Sequence, residues 1–107
     1  YNYFPNMDYV TSVNKQIYTN LKIGGTVTLL DLNDAEFQKK YHKIRSKIFG
    51  SEKEYFLRYN EYPHLFFDKN LLKTEFENLG FSNIKLFDTD IDNANAEFRF
   101  NLIANRF

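Results

Sequence analysis

The sequence predicts a single α/β domain in which helices pack against a small sheet. In three segments apolar residues recur three and four positions apart, which is the spacing of one helix face. Short segments between and after them are rich in β-branched residues or alternate apolar with polar residues, as strands do. With 107 residues, 43% hydrophobic and 19% aromatic, the chain is large enough for one core and too short for two.

Composition excludes several classes of function. Fourteen Lys plus Arg balance fourteen Asp plus Glu, so the overall charge gives no reason to expect nucleic acid or an anionic membrane as a partner. With no Cys, disulfides, thiolate metal sites and thiol nucleophiles are excluded, and the two His residues show no metal-binding spacing. No apolar run is long enough to span a bilayer. We therefore expect a soluble, cytoplasmic protein.

The N-terminal part predicts a helix followed by a strand. The apolar face of the helix consists of Val10, Val13, Ile17 and Leu21. We expect this helix to run to about Lys22 and to end before the Gly24-Gly25 pair. Residues 26–32 follow and are apolar at nearly every position, which is typical of a parallel strand covered on both faces.

The middle of the chain predicts two helices and an aromatic loop. Asn33 or Asp34 caps the first of these helices, and Gly50 ends it. The apolar stripe of that helix consists of Phe37, Tyr41, Ile44 and Ile48. Ser51 and Glu54 have the spacing of a capping box, which indicates a short second helix. Residues 60–67 contain a Pro and show neither period, so we expect an ordered loop.

The C-terminal part predicts one more helix and two strands. Asp68 caps the helix, and Gly80 followed by Phe81 predicts a Schellman ending. The inward side chains of the helix are Leu72, Phe76 and Leu79. Residues 83–89 and 97–102 read as strands that pair antiparallel, separated by an acidic connection. We expect a right-handed crossover between the strand at 26–32 and that at 83–89.

Four segments, in this order, resemble a known family. They are Asn2-Tyr3-Phe4-Pro5-Asn6, Asn20-Leu21-Lys22-Ile23-Gly24-Gly25, a strand ending at Asp31, and Asn78-Leu79-Gly80-Phe81 before the terminal strand pair. This pattern resembles the C-terminal half of class I, Rossmann-like, S-adenosylmethionine-dependent methyltransferases. Ile23 stands where the family usually has proline.

The resemblance implies a partial Rossmann-like methyltransferase sheet. It would hold the fifth to seventh strands with flanking helices, the final strand running antiparallel between the other two. Tyr1 would lie at the end of the fourth strand, so the glycine-rich loop that holds the cofactor would lie upstream of this chain. Residues 1–107 would then be the C-terminal part of one methyltransferase domain, inactive alone, with residues 34–67 a helical, aromatic insertion on the substrate side.

The resemblance also implies site residues. Asn2 and Tyr3 match positions beside the sulfonium and the methyl acceptor, and Asp31 and Asn33 match positions that reach substrate; Tyr1 and Asn2 would contact the cofactor. Ligands of open α/β sheets bind at the carboxyl ends of the strands, where these residues lie. The alternative interpretation is a turn with local hydrogen bonds and a helix cap.

The aromatic loop supplies two further candidates. His64 has the chemistry of a general base for an acceptor hydroxyl, or it simply packs among rings. Tyr62 is a candidate substrate-binding residue in the same loop, and for a methyltransferase we expect the aromatic-rich stretch from Phe37 to Phe67 to form a lid over the strand ends. Lys39 to Lys47, with His42 and Arg45, form a basic helix face that either contacts phosphate or is simply solvated, and we favour the second.

Three functions remain open at this stage. The first is methyl transfer to a small-molecule or sugar-like acceptor, with the isolated chain depending on a missing N-terminal half. The second is a non-catalytic interaction module that uses the exposed edge of the strand at 26–32 to pair with another chain or with a second copy. The third, nucleic-acid binding through the basic helix, is disfavoured by the neutral charge.

Overall fold

The computed structural model describes residues 1–61, 64–88 and 98–107 and shows a mixed α/β fold. Its elements in chain order are helix α1 (Met7–Asn20), strand β1 (Thr26–Asn33), a 3-10 turn (Ala35–Phe37), helices α2 (Gln38–Phe49), α3 (Glu52–Glu61) and α4 (Lys69–Leu79), and strands β2 (Ser82–Asp88) and β3 (Arg99–Asn105). The predicted order of helix, strand, helices, strand and strand is therefore confirmed. Tyr62 and the acidic connection at 89–97 lie outside the described residues.

The sheet has the order β1-β3-β2. The central strand β3 pairs antiparallel with both neighbours, so Leu102 lies opposite Leu29 on one side and Leu86 on the other. The predicted antiparallel closing pair is confirmed. Strands β1 and β2 consequently run in the same direction with a return strand between them. The sequence predicts residues 26–32 as a parallel strand; among the described residues β1 runs parallel to β2, but its hydrogen-bonded partner is the antiparallel β3.

One face of the sheet packs on α1 and α4. The hydrophobic core there consists of Val10, Leu29, Leu32, Phe67, Leu72, Phe76, Phe81, Phe100, Leu102 and Ala104, all buried. Burial of such side chains contributes roughly 1.5–3 kcal/mol each relative to leaving them in water. The opposite face of β1 is open in this chain, since Leu30 is 65% exposed. Among the described residues β1 is therefore covered on one of the two faces that its sequence predicts to be covered.

Local sequence signals set the ends of α4 as predicted. Asp68 accepts hydrogen bonds from the backbone N–H groups of Asn70 and Leu71. At the other end Gly80 has a φ of 109°, a left-handed conformation that favours glycine. The N–H of Phe81 donates to the carbonyl of Phe76, and the two rings stack at 4.9 Å. This is the Schellman ending with its hydrophobic contact.

The end of α1 depends on a residue from the far end of the chain. The helix ends at Asn20, two residues earlier than expected. The guanidinium of Arg106 donates to the carbonyls of Tyr18, Thr19 and Leu21, and it lies 4.4 Å from the centre of the Tyr18 ring. Arg106 thus satisfies carbonyls that a helix end leaves without partners.

The α2 stripe differs from the prediction. Its buried residues are Tyr41 and His42, whereas Ile48 is 74% exposed. The cause is α3, which packs against α2 and turns the face containing His42 inward. The predicted cap is also shifted by one turn, because Asp34 caps the 3-10 turn by accepting from the N–H of Glu36. The short helix predicted from the Ser51 capping box is confirmed as α3, whose Glu54 N–H donates to Ser51 Oγ.

Candidate functional site

The carboxyl end of β1 contains a strained bulge. The pairing register shifts between Leu29 and Leu32, and Asp31 within this shift has a φ of 56°. A non-glycine residue in this conformation costs on the order of 1–3 kcal/mol and persists only where its surroundings hold it. The buried amide of Asn101 on β3 does so, because its Oδ1 accepts from the Asp31 N–H at 2.8 Å. Its Nδ2 donates to the Asp88 carbonyl at 3.3 Å, so Asn101 ties the three strands together.

Asn2 acts as a short partner for the outer edge of β1. Its side-chain Nδ2 donates to the carbonyl of Asp31 at 2.8 Å, and its Oδ1 accepts from the N–H of Asn33 at 2.9 Å. These are the donor and acceptor positions that a neighbouring strand would use. The N-terminal segment is thereby fixed against the bulge.

The segment that contains His64 is joined to the same point. The N–H of Leu65 donates to the carbonyl of Asn2 at 2.6 Å, and Asn33 Nδ2 donates to the carbonyl of Leu65 at 3.0 Å. The N–H of Phe67 donates to the carbonyl of Asn33 at 2.7 Å. Asn33 is almost fully buried by these contacts. His64 is thus held next to the carboxyl end of β1, although it lies more than thirty residues away in sequence.

The His64 ring lies among tyrosines. Tyr3, which is 79% exposed, meets it edge-on with ring centres 5.6 Å apart. Tyr41 Oη lies 3.4 Å from His64 Nε2, and the hydroxyl of Tyr59 donates to the backbone carbonyl of His64 at 2.8 Å. Burial, followed by the charges of Arg99 and Arg45, lowers the pKa of His64. At neutral pH the imidazole is therefore uncharged and able to accept a proton.

His64 belongs to a larger aromatic cluster between α2 and α3. We define the aromatic cluster as Tyr41, His42, Tyr55, Phe56, Tyr59, His64 and Phe66. His42 lies at its centre, with Nδ1 2.8 Å from the Tyr55 hydroxyl and its ring centre 4.5 Å from that of Tyr59. Burial lowers the pKa of His42, and burial raises the pKa of Tyr55 to about 12. His42 and Tyr55 are therefore both uncharged at neutral pH.

Tyr1 lies against the core side of this region. Its hydroxyl donates to Oδ1 of the buried Asn14, and its ring centre is 6.4 Å from that of Phe67. Burial, reinforced by the nearby Glu75 carboxylate, raises the pKa of Tyr1 to about 12. The hydroxyl is therefore a protonated donor used inside the fold.

The structure thus brings together most of the residues that the sequence singled out. Those that meet at the carboxyl end of β1 are Asn2, Tyr3, Asp31, Asn33 and His64. Sequence reasoning missed Asn101 and Tyr59, and it took Tyr41 for a core residue. A polar residue in an apolar terminal strand was the available signal for Asn101. No pattern in the neighbouring sequence indicates that the Tyr59 hydroxyl reaches the His64 carbonyl.

The basic face of α2 matches a solvated surface better than a phosphate site. Lys39, Lys43 and Lys47 line a shallow groove of about 670 Å³, into which Glu52 also projects. In residues 1–61, 64–88 and 98–107 no group of three or more His, Asp or Glu side chains is placed to hold a metal ion. None of the helices in these ranges combines the length and the apolar character needed to cross a membrane.

Comparison of the chain with models of protein families, with curated proteins and with solved structures finds no match to any of them. Its function must therefore be argued from the geometry of the sheet and of the cluster at the end of β1.

Proposed function

We propose that this chain is the substrate-side, C-terminal half of a Rossmann-like S-adenosylmethionine-dependent methyltransferase, acting on a small-molecule or sugar-like acceptor. The observation that carries the proposal is the strand arrangement. Two strands that run in the same direction are separated by an antiparallel strand that comes last in sequence. That arrangement is the one the resemblance implies for the fifth, sixth and seventh strands of the family.

The position of the polar residues at the end of β1 supports the same proposal. Open α/β sheets bind ligands beyond the carboxyl ends of their strands, and Asp31, Asn33 and His64 lie at that end of β1. Bulges and strained backbone are common beside active sites, and Asp31 supplies both. These three residues thus lie where the acceptor would bind in such a sheet.

His64 is the residue we assign as general base. An acceptor hydroxyl becomes a better nucleophile when a neutral imidazole takes its proton, and the lowered pKa of His64 keeps the ring neutral at pH 7. Tyr41, with its hydroxyl 3.4 Å from Nε2, helps to orient the ring. The remaining contribution of the chain is alignment of the acceptor and exclusion of water.

Tyr1 and Asn2, which the resemblance implies as cofactor contacts, do not fit that role through their side-chain polar atoms. The Tyr1 hydroxyl is bonded to Asn14, and both amide atoms of Asn2 are bonded to the backbone of β1. The proposal therefore assigns S-adenosylmethionine to residues encoded upstream of Tyr1.

The encoded sequence upstream of Tyr1 gives the first test. We expect a strand followed by Asp or Glu-x-Gly-x-Gly, the loop that cradles the cofactor in this fold. Titration calorimetry with S-adenosylmethionine should then show binding to the longer chain and none to residues 1–107. Absence of the glycine motif would overturn the proposal.

Paired histidine variants of the longer chain give the second test. We expect His64→Gln to lower methyl transfer about 10²-fold or more, the lower range for loss of a general base. His42→Gln removes the other histidine, which lies deeper in the aromatic cluster, and should leave turnover within a few-fold. Equal turnover in the two variants would remove His64 from the mechanism.

A non-catalytic interaction module is the second candidate, favoured by one observation. Strand β1 lies at the edge of the sheet, and the exposed side chains of Leu30 (65%) and Ile23 (80%) add apolar surface next to the part of that edge that precedes the Asn2 contacts. We expect sedimentation of residues 1–107 at high concentration to show association, and Leu30→Lys to reduce it. A monodisperse wild-type monomer would exclude pairing of this edge with a second copy.

A further inference from the structure

A cavity of about 310 Å³ lies beside the aromatic cluster, between α2, α3 and His64. The polar side chains that line it are Tyr41, Arg45, Tyr55, Arg58, Tyr59 and His64. Small-molecule sites have volumes of roughly 300–1,000 Å³ and combine apolar walls with a few placed polar groups. This cavity is at the lower limit, a size that suits one substituted ring better than a nucleotide.

The charged side chains among the described residues that line the cavity are cationic. The Arg45 guanidinium lies 5.4 Å from the centre of the Tyr41 ring; its charge partly opposes the rise in the pKa of Tyr55 that burial causes, and it contributes to lowering the pKa of His64. Its field therefore reaches across the cavity. Arg58 adds a second guanidinium at the same opening. Among the described side chains that line the cavity none is acidic.

Arg99 places a third guanidinium near His64. It lies at the start of β3, and its charge also lowers the pKa of His64. Its Nε is buried and has no hydrogen-bond partner within the part of the chain that the structure describes. Three cationic groups around an uncharged imidazole favour an anion over a neutral or cationic ligand.

The walls of the cavity favour a planar ligand. The Tyr55 and Tyr59 rings are inclined by only 22°, with centres 6.3 Å apart. Burial raises the pKa of Tyr55 to about 12 and also raises that of Tyr59, so both rings stay uncharged and add no negative charge to the cavity. A ring would meet aromatic side chains here, and its anionic substituent would meet guanidinium donors.

We propose that this cavity binds a small organic anion, a carboxylate or phosphate group attached to a single ring, with Arg45 and Arg58 holding the anionic group. The identification of that anion as the methyl acceptor rests on the proposed function. The binding itself does not require the cofactor.

The test compares 4-hydroxybenzoate with 4-hydroxybenzamide, which has nearly the same shape but no charge. Titrations of residues 1–107, followed by backbone amide NMR shifts, should show about tenfold or tighter binding of the carboxylate, since a hydrogen bond to a charged group is worth about 1.5–3 kcal/mol. Phenyl phosphate should bind in the same place. We expect the shifts to lie on α2, on α3 and at His64.

Variants locate the anion contact. Arg45→Gln with Arg58→Gln should remove the preference for the carboxylate, whereas Lys73→Gln on the exposed face of α4 should leave it unchanged. Arg45→Lys with Arg58→Lys keeps the charge without the planar fork and should retain a reduced preference. If the double Gln variant does not fold, the double Lys variant and the comparison of the two probes on the wild-type chain still test the inference.

Two kinds of result would overturn the inference, one from the wild-type chain and one from the location of binding. One is equal binding of the two probes, or no binding of either, by the wild-type chain. The other is a carboxylate preference that survives the Gln pair, or shifts confined to the lysine groove of α2. In either case methyl transfer to neutral acceptors by the longer chain would remain possible, so a failure here is distinguishable from failure of the proposed function. Probe binding by a chain without an upstream glycine motif would support the cavity and refute the methyltransferase.

Discussion

The sheet with α1 and α4 and the pair α2–α3 bury different kinds of side chain. Around Phe76 and Leu102 the core is aliphatic and phenylalanine-rich, and its fully buried members contain no titratable group. Between α2 and α3 the buried groups are imidazoles and phenols such as His42 and Tyr55, held by hydroxyl–imidazole contacts. Polar groups are costly to bury without partners. The core of the first region consists of apolar side chains alone, whereas the second region buries titratable groups, at some cost in stability.

The largest effect expected from this contrast is on the free energy of unfolding. Phe76 is fully buried, so Phe76→Ala should lower the unfolding free energy by about 3–5 kcal/mol through lost transfer energy and a cavity. Phe49→Ala on α2, where the ring is 44% exposed, is the matched control and should cost much less. Urea denaturation measures both. Equal losses would mean that the two regions do not differ as argued.

A smaller effect is expected at the junction between the regions. Asn2→Ala removes both hydrogen bonds to the edge of β1 and leaves the Asn33 N–H without its partner. We expect a loss of about 1–3 kcal/mol, together with faster amide exchange at Asn33 and Phe67. Asn78→Ala on the exposed surface of α4 is the control and should not destabilise the chain. If the Asn33 amide exchanges at the wild-type rate in the Asn2→Ala variant, the Asn2 side chain does not hold the edge of β1.

The two regions also differ in how far the sequence predicts them. Asp68 and Gly80 act on the backbone within a few residues of themselves, so both ends of α4 were predictable. Arg106 caps α1 across more than eighty residues, and Asn101 fixes the Asp31 bulge across seventy. Such contacts depend on which strands become neighbours, and no local pattern encodes that.

The error on α2 has a similar origin. Periodicity placed Ile48 inward, but the partner of α2 is α3, whose Tyr55 offers a hydroxyl to His42. The hydrogen-bonded imidazole therefore turns inward and Ile48 stays 74% exposed. The candidate residues at the end of β1 were found through the strand order and the resemblance. The cavity was not foreseen, because its lining comes from two helices and the segment after them.

The smallest expected effect is a pH dependence confined to the α2–α3 region. Burial lowers the pKa of His42 from 6.5, so as the pH falls below 6.5 the unfolded chain takes up a proton before the folded chain does. Stability from this residue is fully present above pH 6.5 and is lost between 6.5 and the lower folded-state pKa. Amides of α2 and α3 should therefore lose exchange protection between pH 7.5 and about 5.5, while those of β3 should not.

A double variant isolates the contribution of His42. His42→Phe with Tyr55→Phe replaces the hydrogen-bonded pair by two rings and leaves no orphaned hydroxyl, so the part of the acid-induced loss that comes from His42 should disappear. His64, whose pKa is also lowered, accounts for the remainder. Amide exchange at two pH values, compared between the wild type and the double variant, measures this contribution. If acid loosens β3 as much as α2, the titrating groups are coupled to the whole fold, and the separation between an apolar core and a titratable aromatic cluster is wrong.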